Sequence, residues 1–376
     1  MAKLGDIATY INGYAFKPQD WSDEGIPIIR IQDLTGNSYQ ANRYNGEYAS
    51  KYEVNDGDVL ISWSASLGVY IWHGKKAVLN QHIFKVVFDK ERISKDFFVH
   101  QVGLILENAA SDAHGATMKH LTKPVFDALP FYLPPYEKQC EIAEVLDKVT
   151  SLISLRKQQL AKLDELIKAR FVEMFGDPVY NEMHWETKRL IDICRTIVDC
   201  PHSTPHYTTK DTGYKCIRTS AVKKNKILWE KVECISKQEY GERIKRKRPE
   251  KGDVIYTREG AILGIAAVID RDYNVALGQR SMLLSPDIYQ CTPCFLSMAM
   301  NFDSFLGKAL GGVSGSASPH INVGDIKALE IIAPPIEIQN QFSTFVEQVD
   351  QQKQTVQESL EKLKLMKKAL MQEFFG

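Results

Sequence analysis

The sequence predicts an α+β protein with two pseudo-symmetric domains of mixed strands and helices, joined by two long helices that form an antiparallel coiled coil. Three observations lead to this prediction. The chain repeats itself at a shift of 200 residues, each repeat closes on an uninterrupted amphipathic segment, and short β-type runs fill the remainder. The predicted order is a first domain over 1–133, a first helix over 134–176, a second domain over 177–333 and a second helix over 334–376.

The internal repeat is clearest in its last part, where residues 121–176 align with residues 321–376 without a gap. Both copies contain the pattern Pro-Pro-x-Glu-x-Gln, starting at Pro134 and at Pro334. Upstream, patterns such as Gly-Asp-Val recur only when gaps are allowed. Two divergent domains on a better-matched frame are typical of readers that recognise different targets, and ordinary drift after a duplication predicts the same pattern.

The closing segment of each repeat predicts a helix of about 40 residues, or ~60 Å, because no Gly or Pro interrupts it. Apolar residues recur at spacings of four and three, as in a coiled-coil seam. The predicted pairing positions are Ile142, Leu146, Val149, Leu160, Leu163, Val346, Val349, Leu360 and Leu363. Because a whole domain separates the segments, we expect an antiparallel pair. The alternative is that each helix packs only on its own domain.

Four basic residues interrupt the apolar seam, namely Arg156, Arg170, Lys353 and Lys367. A polar residue in a seam often specifies register at some expense of stability. We therefore expect these side chains to set the register of the helix pair, or to meet acidic residues on the helices of a partner protein.

The two domains read as mixed α+β structure, each with a curved sheet. Runs of β-forming residues, such as 26–31, 83–88 and 252–256, are separated by turn residues. A stretch with helical character follows in each domain, near 96–107 and near 294–310.

The composition restricts the class of protein. Lys+Arg and Asp+Glu both number 47, so any DNA-binding surface must be local or be completed by a partner. No apolar run approaches the ~20 residues of a membrane span, and the first residues lack an apolar signal region. The seven cysteines are scattered, which argues against a disulfide framework and predicts a reducing, cytoplasmic location.

The sequence shows none of the common catalytic or cofactor motifs. It contains neither a Gly-x-Gly-x-x-Gly nor a Gly-x4-Gly-Lys-Ser/Thr pattern, and no carboxylate cluster with nuclease spacing. Cys291 and Cys294 form a lone Cys-x-x-Cys pair, to which Cys200, His202 and His206 could add ligands, yet the first repeat has no counterpart. We therefore expect no enzyme activity, no cofactor and no metal.

Polar, glycine-containing loops are the candidates for DNA contact, because Arg, Asn, Gln and small hydroxyl side chains read base edges. In the first domain the candidates are Ser62, Ser64, Gln81, His82, Thr117, Lys119 and His120. In the second they are His202, Ser203, Thr204, His206, Tyr207, Thr257, Arg258, Gln279, Arg280, Ser316 and His320. Lys245 and Arg246, within the basic run 243–248, are candidates for phosphate contact. Ordinary turns and a solvated loop explain the same residues.

The order of these features resembles the specificity subunit of type I restriction-modification systems. The resemblance covers essentially the whole chain. It rests on the domain starts Leu-Gly-Asp-Ile and Leu-Ile-Asp-Ile, the segment 199–205, the Gly-Asp-Val turns and the two proline-led helices. No single motif is decisive, but their order and duplication are specific to this family.

The resemblance implies two target-recognition domains that each read one half of a bipartite, asymmetric site in double-stranded DNA. The helices would set the spacing and dock two methylation subunits, while restriction subunits with ATP-dependent translocase and nuclease activity complete the complex. Two alternatives remain open at this point. The chain could be a fragment of a fused restriction-methylation enzyme, or a coiled-coil adaptor that does not contact DNA.

Overall fold

The computed structural model describes residues 1–36, 42–112, 122–260, 262–311 and 320–376. The chain forms two compact units: unit 1 comprises residues 1–158 and 357–376, and unit 2 comprises residues 159–356. Each unit therefore contains one globular domain and a part of both long helices. Unit 1 is assembled from the two ends of the chain.

Unit 1 contains mainly short strands and two longer helices. Its strands are β1 (Ala2–Lys3), β2 (Thr9–Asn12), β3 (Ile26–Ile29), β4 (Arg43–Tyr44), β5 (Glu53–Val54), β6 (Val59–Ser62), β7 (Gly68–Ile71), β8 (Ala77–Leu79), β9 (Ile83–Val87) and β10 (Pro130–Phe131). Its helices are α1 (Leu4–Ile7), α2 (Ile31–Leu34), α3 (Lys95–Asp112), α4 (Lys123–Asp127) and the first long helix, α5 (Tyr136–Phe175), which continues into unit 2.

Two four-stranded sheets and a two-stranded one, β1-β10, lie in the described part of the unit 1 domain, where the sequence predicted one curved sheet. The first sheet has the order β2-β9-β6-β7 and is antiparallel throughout. The second has the order β4-β3-β8-β5, with β3 and β8 parallel. The local sequence of each short run does not reveal which runs share a sheet, because strand pairing joins residues that are distant along the chain.

Unit 2 repeats this plan with additional short elements. Its strands are β11 (Thr187–Arg189), β12 (Cys194–Asp199), β13 (Tyr207–Thr208), β14 (Tyr214–Ile217), β15 (Val222–Lys223), β16 (Lys226–Ile227), β17 (Glu233–Ile235), β18 (Val254–Thr257), β19 (Ala266–Val268), β20 (Asn274–Leu277), β21 (Ser281–Pro286) and β22 (Glu330–Ile332). Its helices are α6 (Leu190–Ile193), α7 (Lys237–Arg243), α8 (Pro293–Met300), α9 (Asp303–Leu310), α10 (Val323–Ala328) and the second long helix, α11 (Ile336–Phe375), which continues into unit 1.

The main sheet of unit 2, β12-β21-β18-β19, has the same topology as the main sheet of unit 1. The second sheet, β13-β17-β14-β20, also contains one parallel pair, β14 with β20. The stretch near 294–310 is two helices instead of the single one predicted. The side chain of Asn301, between them, bonds the backbone oxygens of Ala266 and Ser297.

Both long helices contribute to the core of unit 1. Ile142 and Leu146 of α5 are buried in the same apolar cluster as the sheet residues, and Leu370 and Phe374 of α11 pack against this cluster. Further along, Arg156 Nε donates to Ser359 Oγ at 3.3 Å. Residues with higher numbers on α5 contact residues with lower numbers on α11, so the two helices are antiparallel.

The same arrangement recurs in the core of unit 2. Phe171 and Phe175 of α5 contact Phe342 of α11, with ring centroids 5.4 and 5.5 Å apart. Leu163, Val346 and Val349 belong to the same cluster, while Leu360, in unit 1, is 4% exposed. The predicted fold class, two mixed domains with an antiparallel pair of long helices, is confirmed. The alternative that each helix packs only on its own domain is wrong, because both helices enter both cores.

Within the described ranges, no helix combines the length and the apolar character that a membrane span requires.

Candidate nucleic-acid interface

The predicted contact residues of unit 2 lie on four loops at one end of the main sheet. We call the loops at 199–207, 257–260, 278–281 and 320–321 the second loop cluster. Backbone bonds join them: Cys200 N–H donates to Ser281 O at 3.1 Å, and Arg258 N–H donates to Arg280 O at 3.0 Å. Strand register thus brings together four segments that are distant along the chain.

A buried ion pair lies in the second loop cluster. Arg258 Nε donates to Asp199 Oδ1 at 2.9 Å, and Nη2 donates to Asp199 Oδ2 at 3.1 Å. The side chain of Arg258 is 7% exposed, and that of Asp199 is 13% exposed. Two parallel bonds between a guanidinium and a carboxylate are among the stronger polar contacts in proteins, and they fix orientation as well as distance.

A second buried arginine holds the loop that carries Ser203. Arg243 Nη2 donates to Ser203 O at 2.7 Å, and its Nε donates to Glu239 Oε1 at 3.0 Å. Burial favours the neutral carboxyl of Glu239, but hydrogen bonds from His206 and Arg243 outweigh it, and the pKa of Glu239 is lowered. Arg243 belongs to the basic run that the sequence marked for phosphate contact. Because its side chain is buried, Arg243 is not available for phosphate contact, and the prediction is wrong for this residue.

The other residues of the basic run are more exposed, although internal contacts involve several of them. Lys245 pairs with Glu242, and Arg246 Nη1 donates to the backbone oxygen of Asp199 at 3.4 Å. Polar contacts at an exposed surface are weak, whether with a carboxylate or a backbone oxygen, so both cations can exchange these partners for a phosphate.

The predicted contact residues of unit 2 differ in accessibility. The exposed ones are His202, Ser203, Thr204, His206, Lys245, Arg246, Arg280 and His320, and the half-buried ones are Tyr207 and Gln279. Thr257 and Arg258 are buried, with internal partners such as Ile265 N–H, which donates to Thr257 Oγ1 at 2.9 Å. These two side chains support the loops and do not form the surface. Ser316 lies outside the described residues.

Tyr207 and Arg218 border the second loop cluster. The Arg218 guanidinium lies 4.8 Å from the centre of the Tyr207 ring, and its Nη1 donates to Glu233 Oε2 at 2.8 Å. Burial raises the pKa of the Tyr207 hydroxyl, which stays protonated at neutral pH. An aromatic ring against a guanidinium gives a flat surface on which a base or sugar can pack.

The corresponding loops of unit 1 contain different side chains. We call the loops at 12–16, 62–66 and 80–83 the first loop cluster. Trp63 N–H donates to His82 O at 3.4 Å, and Trp63 Nε1 donates to Asn12 Oδ1 at 3.3 Å. Ala65 has a left-handed backbone, with φ of 60°. Ser62 and Ser64 are buried, and Ser62 Oγ donates to the backbone oxygen of Ser66.

Gln81 and His82 are the half-buried candidates of unit 1, and their side-chain nitrogens lie 3.2 Å apart. The neighbouring surface is aromatic: the Tyr14 ring contacts the rings of Phe16 and Tyr52, with centroids 4.9 and 5.6 Å apart. Thr117, Lys119 and His120 lie outside the described residues.

Sequence reasoning did not single out Asp199, Arg243, Asn12 or Trp63 for the roles they have. Asp199 was noted only as part of a family-like segment, and its partner Arg258 is 59 residues away. A sequence contains no local signal for such a pair. The Gly-Asp-Val turns, which recur in both repeats, are the signal in the sequence that loops at equivalent strand ends converge.

Cys291 and Cys294 are the residues that the sequence offers for metal ligation. Across the part of the chain that the structure describes, no three His, Cys, Asp or Glu residues are grouped closely enough to hold a metal ion. Cys291 is fully buried in the apolar core of unit 2, and burial raises the pKa of the Cys294 thiol to about 12. A thiol with such a pKa is a poor ligand at neutral pH, because metals bind the thiolate.

The comparisons with known proteins agree on one family. A family model described as the type I restriction modification DNA specificity domain matches residues 1–165 and 182–365. The EcoBI specificity subunit of Escherichia coli is 25% identical, with coverage of 92% of this chain and 78% of its own length. The MjaVIII specificity subunit of Methanocaldococcus jannaschii is 23% identical, with coverage of 99% and 90%.

Two solved structures share the fold. The S subunit of a type I restriction-modification system from M. genitalium has a TM-score of 0.57 at 12% identity, covering all of this chain and 95% of its own. A chain from work on assembly and conformational transition of the type I R-M system has a TM-score of 0.55 at 17% identity, with coverage of 99% and 96%.

Proposed function

The chain belongs to the type I restriction modification DNA specificity family, whose domain model matches it twice, and from this premise we propose that it recognises a DNA sequence. Residues 1–133 and 177–333 act as two target-recognition domains, and the first and second loop clusters read the two halves of a bipartite site. The observation that supports this most strongly is the duplication: equivalent strand ends carry two loop clusters with different side chains. Because the two loop clusters carry different side chains, we expect the two halves of the DNA site to differ in sequence.

Local charge supports the proposal despite the zero net charge of the chain. The second loop cluster exposes His202 and Arg280, and the cations of Lys245 and Arg246 lie on the same domain. Arg280 has a left-handed backbone, with φ of 67°, which a non-glycine residue adopts only when its surroundings hold it there. A fixed arginine at the surface suits bidentate contact with a guanine edge.

The long helices are proposed to dock two methylation subunits. Several large apolar side chains of these helices are exposed, between 39 and 68%, namely Val145, Leu152, Leu155, Leu166, Val172, Leu365 and Met366. Exposed apolar surface of this extent favours a protein partner. The restriction subunits, with ATP-dependent translocase and nuclease activity, complete the proposed assembly. In it this chain is non-catalytic and acts in the cytoplasm.

Selection from a random duplex library tests the proposal, with the chain purified together with its methylation subunits. We expect enrichment of two short motifs separated by a fixed gap. Replacing residues 1–133 with the matching domain of another specificity subunit should change one motif and leave the other unchanged. A complex that is folded by circular dichroism and enriches no motif would favour an adaptor that does not read DNA.

A fused restriction-methylation enzyme is the other alternative, and it makes a separate prediction. The chain alone should then transfer methyl groups to DNA from a methyl donor. We expect no transfer without the methylation subunits, whatever the DNA sequence.

A further inference from the structure

Arg258 connects all four loops of the second loop cluster through its backbone and its side chain. Arg258 N–H donates to Arg280 O at 3.0 Å, Arg258 Nη1 donates to Ile321 O at 3.5 Å, and Ile321 N–H donates to Arg258 O at 2.9 Å. Asp199 brings in the fourth loop through its two bonds to the same guanidinium. Movement of Arg258 would therefore move every loop of the cluster.

The carboxylate of Asp199 also reaches the surface. Its Oδ2 lies 3.1 Å from His202 Nε2, and the His202 side chain is 66% exposed. The backbone oxygen of His202 accepts a hydrogen bond from Gln279 Nε2. An exposed histidine–carboxylate contact alone fixes little. Here the carboxylate is itself held by a buried arginine, so the imidazole is attached to a rigid support.

Unit 1 shows that the fold does not need a charged pair at this place. Asn12 of β2 pairs with Phe84 of β9, and Asp199 pairs with Met282 at the equivalent position of β12 and β21. Trp63 follows Ser62, the last residue of β6, and Arg258 follows Thr257, the last residue of the equivalent strand β18. The neutral bond from Trp63 to Asn12 therefore occupies the position of the ion pair in unit 2.

Fold stability alone does not account for a charged pair at this position. A buried ion pair is often no more stabilising than a neutral contact of similar size, because both ions lose their hydration. Since unit 1 has an exposed neutral bond at this place, the fold itself does not require the ion pair of unit 2. What the ion pair adds on the surface is the placement of His202, because the backbone bond from Arg258 to Arg280 has a counterpart in unit 1, from Trp63 to His82.

We propose that Asp199 is a specificity-determining positioning residue, which fixes His202 in the orientation that reads one half of the DNA site. This proposal rests on the proposed function. Asp199 acts through its neighbours, since its own carboxylate is largely buried. Asn12 and Trp63 have the equivalent role for the other half-site, with neutral chemistry.

The test is library selection with single variants of the whole chain in complex with its methylation subunits. Asp199→Asn keeps the size but removes the charge that holds Arg258 and His202. We expect at least a ten-fold loss of enrichment for one half-site, with the other half-site unchanged. Asp199→Glu keeps the carboxylate and should recover most of this enrichment. Asn12→Ala should affect only the half-site that Asp199→Asn leaves unchanged.

Asp253→Asn is the matched control, because Asp253 is also buried in unit 2 and also caps a loop, with its Oδ2 accepting from Glu250 N–H at 2.9 Å. It lies at the opposite end of β18 from Arg258, roughly 15 Å away along an extended strand. We expect this variant to select the same two motifs as the wild type. Melting temperatures are recorded for all variants, and selection is performed well below each of them.

The outcomes are distinguishable. Unchanged selection by Asp199→Asn would overturn the positioning role, while the proposed function would stand. The same loss in Asp253→Asn would also overturn it, since a general weakening of unit 2 would then be sufficient. If the wild-type complex selected no motif, the proposed function would fail and this proposal with it. If Asp199→Asn does not fold, the test relies on Asp199→Glu and Asn12→Ala. A loss of enrichment at the same half-site in both of these variants would contradict the proposal.

Discussion

Gln139 and Gln339 explain why the pattern Pro-Pro-x-Glu-x-Gln occurs in both repeats. Gln139 Oε1 accepts from Ser94 N–H at 2.9 Å, and Gln139 Nε2 donates to Pro134 O at 2.8 Å. Gln339 forms the equivalent bonds, to Thr292 N–H at 2.9 Å and to Pro334 O at 2.8 Å. Each amide therefore links the start of a long helix to the start of a domain helix. Both side chains are at most 1% exposed, so no water can replace these bonds.

At the residue scale we predict that Gln339→Leu lowers the free energy of unfolding by about 3 kcal/mol, because buried backbone groups lose their partners. Thr292 N–H, Pro334 O and Gln290 O would all be affected. Urea unfolding measures the difference. Gln341→Leu, on an exposed position of the same helix, is the control and should change stability by less than about 0.5 kcal/mol. Equal stability of the two variants would contradict the assigned role.

At the element scale, three of the four charged residues of the seam, Arg156, Arg170 and Lys353, contact the other long helix of the chain. Lys353 Nζ lies 2.7 Å from Asp164 Oδ1 on the other helix and 3.2 Å from Asp350 Oδ1 on its own. Arg170 lies 5.9 Å from the ring of Phe345. These contacts favour the first of the two expectations for the seam, namely that its charges set the register of the pair.

We predict a pH-dependent contribution from Lys353. Burial lowers the pKa of its ammonium, but the hydrogen bond to Asp164 and the charge of Asp350 outweigh burial, so the pKa is raised above 10.5. A raised folded-state pKa means that the contribution is present at neutral pH and is lost as the pH rises through that pKa. Lys353→Gln should lower stability by about 1 kcal/mol at pH 7 and by progressively less above the ordinary lysine pKa.

Lys367→Gln is the control for this measurement, since no carboxylate of the described residues lies within ion-pair distance of Lys367. Its effect on the free energy of unfolding should be small at every pH. A difference between Lys353→Gln and the wild type that stayed constant across the alkaline range would show that the charge of Lys353 is not what matters.

At the scale of the whole molecule, the two units do not follow the order of the chain. The last twenty residues complete the core of unit 1, where the Phe375 ring lies 5.4 Å from that of Phe97. In the same way, the end of α5 completes the core of unit 2 through Phe171 and Phe175. Each globular domain therefore depends on a helix that belongs, by sequence, to the other repeat.

We predict that a chain ending at residue 356 loses stability in unit 1 and retains it in unit 2. Leu370, Met371, Phe374 and Phe375, which are half-buried, would no longer cover the core, and each Å² of apolar surface removed from water contributes roughly 25 cal/mol. Amide hydrogen exchange should accelerate at least ten-fold in β6 and β9, with little change in β18 and β21. The full-length variant with Gln372 and Glu373 replaced by Ala is the control, because both residues are exposed. Equal exchange in the truncated and full chains would refute the dependence.

The fold class and the repeat were predictable because they depend on local patterns. Heptad spacing indicates which face of a helix is apolar, and a gap-free match between 121–176 and 321–376 indicates that whatever one segment forms, the other forms too. Turn residues marked most of the loops that later proved to cluster. The single curved sheet and the single helix near 294–310 were wrong, since the assignment of strands to sheets and the break at Asn301 depend on contacts with distant residues.

The sequence by itself determined the duplicated architecture, the two long helices and the family to which they belong. Only the tertiary structure decided which side chains are available for contact: Arg243 and Arg258 carry the same charge as Arg246 and Arg280, yet the first two are buried and the last two exposed. The physical reason is that accessibility and ion pairing follow from strand register, which joins Asp199 to Arg258 across 59 residues. Local periodicity reports the face of an element, but not its partners.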